Sequence, residues 1–567
     1  MYTIQENVRI VISLLKEYNI RHIVISPGGT NIPISQAVQD DSFFNCYSVA
    51  DERSAMYFAI GLYLQLGEPI ATSCTSAQAT RNYIPGLTEA YYKHVPILAI
   101  TTSKLYRFTY QDYMQAPDQT SLPKDSVKKS FDLPYISNDD DRILCIRQAK
   151  DAMLEITHRL SGPVQLNIRI SDKENGHFEC TFLPRLLPIK RYMMWSNWND
   201  VQLDNKKILI VIGEHQPFTK EQYTLINKFG ETHDSVIYVN NLSNYHGKYT
   251  VHANLLLSCM SMEKFIDRLK PDILITIGGQ TGDYIIYGKL IGLSDCSFEH
   301  WRICEDGAIV DTYNKLTRIF ECPIDVFFEK FKEGIEKEHK YYDSWIDLNN
   351  SIINNVDLPF SNVYLAQQLY NDIPKGSYMN YAILNSLRAW NYFKLDPTIK
   401  CYSNVAAFGI DGCMSTLIGE SINTEELCFL VTGDLAFFYD MNALGIRHIK
   451  NNVRILLINN NGGAEFKIMA GRWSIELDRY ISASGHNGNA KGWSETNGFK
   501  YMSAYDKGDF LCKKAAFLKT SEQSIVFEIF TNPEDEVLAI NALTGSNSMQ
   551  SIEEKVKQKI KHFIKRL

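Results

Sequence analysis

The sequence predicts an α/β protein built from three doubly wound parallel-sheet domains. Short apolar runs bounded by turn residues recur along the chain and alternate with segments of helical spacing. That alternation is the pattern of parallel strands joined by crossover helices. The chain has 567 residues, more than one hydrophobic core serves. A hydrophobic share of 45% fits an ordinary globular protein, and a net charge of −7 argues against nucleic acid as a partner.

The first domain is expected over 1–185. It opens with a helix in which Val8, Val11, Ile12 and Leu15 share one face, and Thr3 with Glu6 resembles a capping box. A strand over 22–26 runs into Pro27-Gly28-Gly29, and a helix follows from about Ile32. Further strands are expected at 43–49, 69–73 and 95–101, with a helix over 55–66. The basic, aromatic stretch 183–198 reads as a linker. A second domain over 200–345 has buried strands at 207–213, 235–239 and 272–278. A charged helix over 327–350 closes it. The third domain, 355–567, carries a strand at 427–432 ending in Gly433-Asp434. A crossover helix over 439–450 leads to a strand at 453–458, which ends in Asn459-Asn460-Asn461-Gly462-Gly463. No repeat of fixed period stands out.

The N-terminus is polar, with no basic start and apolar run, and no apolar stretch reaches membrane-spanning length. The twelve cysteines are scattered, with no Cys-x-x-Cys. A cytoplasmic protein with reduced thiols is expected. The run 553–566 reads as an amphipathic helix with a basic face. A solvated surface helix is its plain reading, and membrane or polyanion contact the other.

Two consecutive parallel strands thus end in polar residues, at the edge of an α/β sheet where ligands bind. Mg²⁺ takes six oxygens in near-octahedral geometry, some of which a diphosphate can supply. Asp434 offers a carboxylate, Asn460 an amide oxygen, and Gly462 a backbone carbonyl at a turn where the backbone can approach closely. Asp434 alone could be a helix cap, and the Asn-Gly turn alone could be only a turn. Together, at neighbouring strand ends, they point to a metal–diphosphate site.

Gly433-Asp434, a crossover, then Asn459-Asn460 resembles the fingerprint of thiamine-diphosphate enzymes. The longer string from Gly433 to Leu444, with Asn459 to Gly463, is similar to the menaquinone-pathway synthases that make 2-succinyl-5-enolpyruvyl-6-hydroxy-3-cyclohexene-1-carboxylate. The likeness extends through Ser403-Asn404, Gly409-Ile410-Asp411-Gly412, Ile25-Ser26-Pro27-Gly28, Asp51-Glu52-Arg53, Thr75-Ser76, Asn82 and Pro85. It covers nearly the whole chain and is weakest in the middle domain.

The resemblance implies thiamine diphosphate and Mg²⁺ as cofactors, with Asp434, Asn460 and Gly462 as metal ligands. Glu52 becomes the carboxyl that hydrogen-bonds the cofactor's pyrimidine and lets its imino group act as base. By itself, Glu52 would read as a carboxylate at a helix N-terminus. Ser76, Asn82, Ser386, Gly409, Gly433, Leu435 and Phe466 join the cofactor site, and Ile410 would hold the cofactor bent. The first domain would bind the pyrimidine and the third the diphosphate. Because the family draws Glu52 and the metal site from different subunits, a homodimer or homotetramer follows.

The substrate side departs from the family. Its cations fall here on Gly29-Thr30, Lys104, Asp283-Tyr284, Val405 and near Trp390, with Arg388 close by. Charge-assisted bonds of roughly 1.5–3 kcal/mol each are thereby lost, so isochorismate should bind poorly. Gln115 keeps the position that contacts the cofactor-bound intermediate. Lys104 is the candidate for the donor's carboxylate, and Glu465 replaces an aliphatic residue beside Phe466. The expected activity is decarboxylation of a small-molecule 2-oxo acid donor with transfer of its acyl anion to a carbonyl or enone acceptor. The alternatives are the synthase itself and a cofactor-binding but catalytically silent subunit. A nucleotide-binding protein would need a Gly-x-Gly-x-x-Gly or P-loop string, and neither is evident.

Overall fold

A computed structural model describes residues 1–468 and 480–547; the helix expected over 553–566 lies outside them. The chain packs as two units, Met1–Tyr192 with Gly307–Ile319, and Met193–Asp306 with Phe320–Leu567. Three sheets flanked by helices carry the architecture.

In the first unit, β1 (His22–Ile25), β2 (Asn45–Ser48), β3 (Ile70–Cys74), β4 (Ile97–Lys104), β5 (Ser130–Leu133) and β6 (Val164–Ile170) form one sheet. Its order is β2-β1-β3-β4-β6-β5, and every pairing is parallel. β3 and β6 are buried along their whole length, as expected of strands covered by helices on both faces. The helix Glu6–Glu17 buries Val8, Val11, Ile12 and Leu15 completely. Its start differs from expectation: Gln5 is the N-cap and makes no side-chain cap, while the Thr3 hydroxyl accepts from the Gln5 amide. Thr3 lies too far upstream to close a capping box.

The stretch expected to be a linker holds a strand, β7 (Lys190–Met193). With β8 (Ile208–Ile212), β9 (Ser235–Tyr238), β10 (Thr250–Val251), β11 (Ile273–Ile277), β12 (Glu299–Cys304) and β13 (Leu316–Glu321) it makes a sheet of order β10-β9-β8-β11-β12-β13-β7. The single charged helix expected next is instead two, Ile324–Lys330 and Lys340–Asn350. Gly334 lies between them, and a helix-interior glycine loses about 1 kcal/mol relative to alanine.

The third sheet contains β14 (Tyr378–Tyr381), β15 (Lys400–Ser403), β16 (Cys428–Gly433), β17 (Val453–Asn459), β18 (Lys500–Ala504) and β19 (Ile525–Phe530). It runs β15-β14-β16-β17-β19-β18, all parallel, which is the strand order of the first sheet. The duplication is one of topology, invisible as a sequence period. The crossover from β16 also departs from expectation. A helix, Asp434–Tyr439, begins immediately at the aspartate, followed by a 3₁₀ turn, Met441–Gly445. Asp434 thus stands in the first turn, where a carboxylate suits the helix dipole. Leu242, Leu255 and Cys259 of the middle domain share a core with third-domain residues such as Val363, Leu387 and Trp390.

Candidate active site

In both six-stranded sheets the strand order reverses beside the first strand, where β1 lies next to β3 and β14 next to β16. Crossovers leave such a point on opposite faces, opening a crevice at the carboxyl ends of the strands. The expected site residues cluster at these two edges.

At the third-sheet edge, Asp434 follows β16 and is 1% exposed. Its Oδ1 accepts from the Leu435 amide at 2.7 Å, and its Oδ2 from the Gly462 amide at 3.0 Å. His486 Nε2 lies 3.1 Å from the same Oδ2. Burial pushes the Asp434 carboxyl above its ordinary range, against the pull of these partners. Asn460 follows the neighbouring strand β17, and its Oδ1 is buried with no hydrogen-bond partner. An orphaned amide oxygen next to a buried carboxylate suits a hard cation. Gly462 permits the turn: its φ is +142°, and a Cβ there would stand 2.7 Å from the Ser484 Cα.

Glu528, fully buried on β19, holds this turn from behind. It accepts from the Asn459 side chain at 2.7 Å, the Ala490 amide at 3.0 Å and the Tyr501 hydroxyl at 2.8 Å. The pattern reading missed Glu528 because it sits within an apolar strand run. His486 was missed too, lying in a loop without periodicity. Ser386 is buried on the helix Asn385–Trp390, which follows β14. Gly409 and Ile410 precede the helix Cys413–Ser421, and Ile410 packs against two hydrophobic clusters. Gly433 is the N-cap of the Asp434 helix. Phe466 is partly buried on the helix Ala464–Ile468.

Glu465, on that same short helix, is not a surface carboxylate; it is buried and pairs with Arg388. Arg388 donates to its two oxygens at 2.6 and 2.7 Å. Burial works against the Arg388 charge, yet Glu465 more than offsets it and holds the guanidinium above its ordinary value.

At the first-sheet edge, Glu52 begins the helix Glu52–Leu66, with Asp51 as N-cap. Its Oε2 accepts from the Asn82 side chain at 3.0 Å, so two expected site residues are in contact. Gly28 is forced by close approach: a Cβ there would fall 2.2 Å from the Thr75 Cβ. The Ser76 amide donates to Thr30 Oγ1 at 3.0 Å, and the Ser76 hydroxyl is buried without a partner. Thr30 also contacts the hydroxyls of Thr75 and Thr102. Gln119, which drew no notice in the sequence, accepts from the Ala77 amide and donates to Thr80, Thr102 and Asn167. Ala77 needs that support, because its φ is +68°.

Two further expected residues lie beyond this cluster. Gln115 is exposed with φ +57°, four residues before the buried Gln119. Lys104, at the end of β4, is not a free cation, because its Nζ contacts both Asp172 oxygens at 2.6 Å. The other positions that the resemblance sets against the family's cations are neutral or acidic. Val405 and Trp390 are core residues, and Asp283 is a buried cap of the helix Tyr284–Ile291, bonded to Asn240 and Asn254.

Residues 6–122 match the family described as "Thiamine pyrophosphate enzyme, N-terminal TPP binding domain". Fold and match together define a thiamine-pyrophosphate enzyme, and thiamine diphosphate is its cofactor. Curated relatives narrow the class. A protein of Bacteroides thetaiotaomicron named 2-succinyl-5-enolpyruvyl-6-hydroxy-3-cyclohexene-1-carboxylate synthase is 32% identical over 550 residues, covering 94% of this chain and 97% of its own. Proteins of the same name from Phocaeicola vulgatus (31%; 94% and 97% covered) and Flavobacterium psychrophilum (28%; 92% and 95%) are also similar. The chain belongs to this synthase family. No helix among the described residues is long and apolar enough to cross a membrane.

Proposed function

We propose that the protein is a Mg²⁺- and thiamine-diphosphate-dependent carboligase that decarboxylates a 2-oxo acid and passes the acyl anion to a carbonyl or enone acceptor other than isochorismate. The observation that carries this reading is the buried Asp434 carboxylate beside the orphaned Asn460 oxygen at the switch point of the third sheet. These two, with the Gly462 carbonyl, would hold the cation that neutralises the diphosphate. Ser386, Gly409, Gly433, Leu435 and Phe466 would line the cofactor, with Ile410 beneath it.

When bound, thiamine diphosphate supplies a nucleophilic carbon and an electron sink for the electrons left by departing CO₂. Glu52 would hydrogen-bond a pyrimidine ring nitrogen, and Asn82 holds its carboxylate in one orientation. Ser76 would offer its unpaired hydroxyl at the same edge. The 1–185 region is the pyrimidine-binding domain in this reading, 200–345 the central domain, and 355–567 the diphosphate-binding domain. The enzyme would act as a cytoplasmic homodimer or homotetramer with Glu52 and Asp434 drawn from different subunits. Lys104 could meet the donor's carboxylate only by leaving Asp172, and the exposed Gln115 would meet substrate from its loop.

A screen of 2-oxo acids for CO₂ release, with thiamine diphosphate and Mg²⁺ added, tests the proposal. One or more acids should turn over; no release from cofactor-loaded protein would reject it. The full-length similarity to named synthases favours a second reading, in which isochorismate and 2-oxoglutarate are the substrates. Rapid joint turnover of that pair would establish it in place of the first.

A further inference from the structure

The Arg388–Glu465 pair ties the segment after β14 to the segment after β17. These strands flank β16, whose end carries Asp434. The pair therefore belongs to the same crevice as the Asp434–Asn460 site. Its side chains are 15% and 10% exposed, so each keeps a small opening to solvent. Arg388 is a cation at this crevice, yet its fork is filled by a carboxylate of its own chain. Tyr284 stands close enough to act electrostatically on Arg388, and Asp283 is spent as a helix cap.

We propose that Glu465 is a specificity-determining residue: by cancelling the Arg388 charge it makes this subsite select an uncharged, hydroxyl-bearing end of a substrate over a second carboxylate. This rests on the carboligase reading above. The physical case is competition. An incoming carboxylate must displace Glu465 from the fork or approach it as a like charge, and both disfavour binding. A hydroxyl needs neither. A bidentate pair leaves guanidinium N–H donors and carboxylate lone pairs in one place, and a hydroxyl both donates and accepts.

The test compares matched molecules on the full-length, cofactor-loaded protein. 2-Oxoglutarate is set against 5-hydroxy-2-oxopentanoate as donor, and glyoxylate against glycolaldehyde as acceptor. Dissociation constants come from titration calorimetry and, where turnover occurs, KM and kcat are read separately. The wild type should favour the hydroxyl-ended member of at least one pair. E465Q should move that preference tenfold or more toward the carboxylate, mainly in Kd or KM. The double variant R388M/E465Q should lose this gain, which a merely structural pair would not show. A shift under twofold in both pairs, with E465Q folded and cofactor-loaded, overturns the proposal. A wild type that binds both carboxylate-ended members more than tenfold tighter overturns it without any variant. Binding is read independently of CO₂ release, so failure of the carboligase reading shows separately as silence in the decarboxylation screen.

Discussion

β1, β3 and β4 hold the places in the first sheet that β14, β16 and β17 hold in the third, so their ends can be compared position by position. After β3 come Thr75 and Ser76, a set of hydroxyls and amides organised by Thr30 and Gln119. After β16 comes Asp434, a carboxylate removed from water. The last residue of β4 is Lys104, already paired, whereas after β17 stands a turn with an orphaned oxygen. The first edge keeps its carboxylate, Glu52, to one side on the helix that follows β2. The scaffold determines where a ligand sits, and the strand-end residues decide which part of it can be held. A neutral hydrogen-bonding edge suits a heteroaromatic ring, and a hard-oxygen edge suits a cation with phosphate.

The sharpest way to break this division of labour is Glu52→Gln. Turnover should fall by about 10²- to 10⁴-fold while cofactor binding is retained; full activity with cofactor bound would strip Glu52 of its role. Asp434→Ala should act on the other edge. Cofactor affinity at low Mg²⁺ should weaken by roughly tenfold to a hundredfold in a fluorescence titration, and unchanged affinity would contradict the ligand assignment. Glu528→Ala probes the support behind that edge. Two buried donors and one part-buried donor lose their acceptor, so denaturant unfolding should show a loss of roughly 3 kcal/mol, with metal affinity falling at the same time.

The smallest effect concerns Glu536, which accepts from the Asn362 amide, Thr531 and the Asn385 side chain beside Ser386. Burial raises its carboxyl to about 7. The folded state then binds more protons than the unfolded one between the ordinary carboxylate range and about 7, so stability falls as pH rises through that window. Glu536→Gln should flatten this slope in thermal melts between pH 5 and 7, scanned at about half-unit steps. An unchanged slope would assign the pH dependence to other groups.

Sequence pattern carried the strands well, because buried parallel strands read as apolar runs such as 208–212 and 455–458. It also carried Asp434, Asn460, Gly462 and Glu52 to strand or helix ends. The failures have local causes. Lys190–Met193 has charge and no alternation, so a strand looked like a linker. The helix starting at Asp434 was placed five residues late because the aspartate was read as a strand end alone. Salt-bridge partners far apart in sequence, Lys104 with Asp172 and Arg388 with Glu465, have no linear signature at all.

β7 gives the middle sheet a different birth from its neighbours. The first sheet uses strands only from His22 to Ile170, and the third only from Tyr378 to Phe530. Each can complete itself from a continuous stretch of newly made chain. The middle sheet is continuous too, Lys190–Glu321, but its first strand, β7, lies at the edge beside its last, β13, and must wait until the chain has been synthesised through Glu321. Until then β7 is a strand with open edges, and such edges invite pairing with the wrong chain. Translation arrest just before residue 316 should therefore yield a nascent protein with a finished first sheet and an aggregation-prone tail.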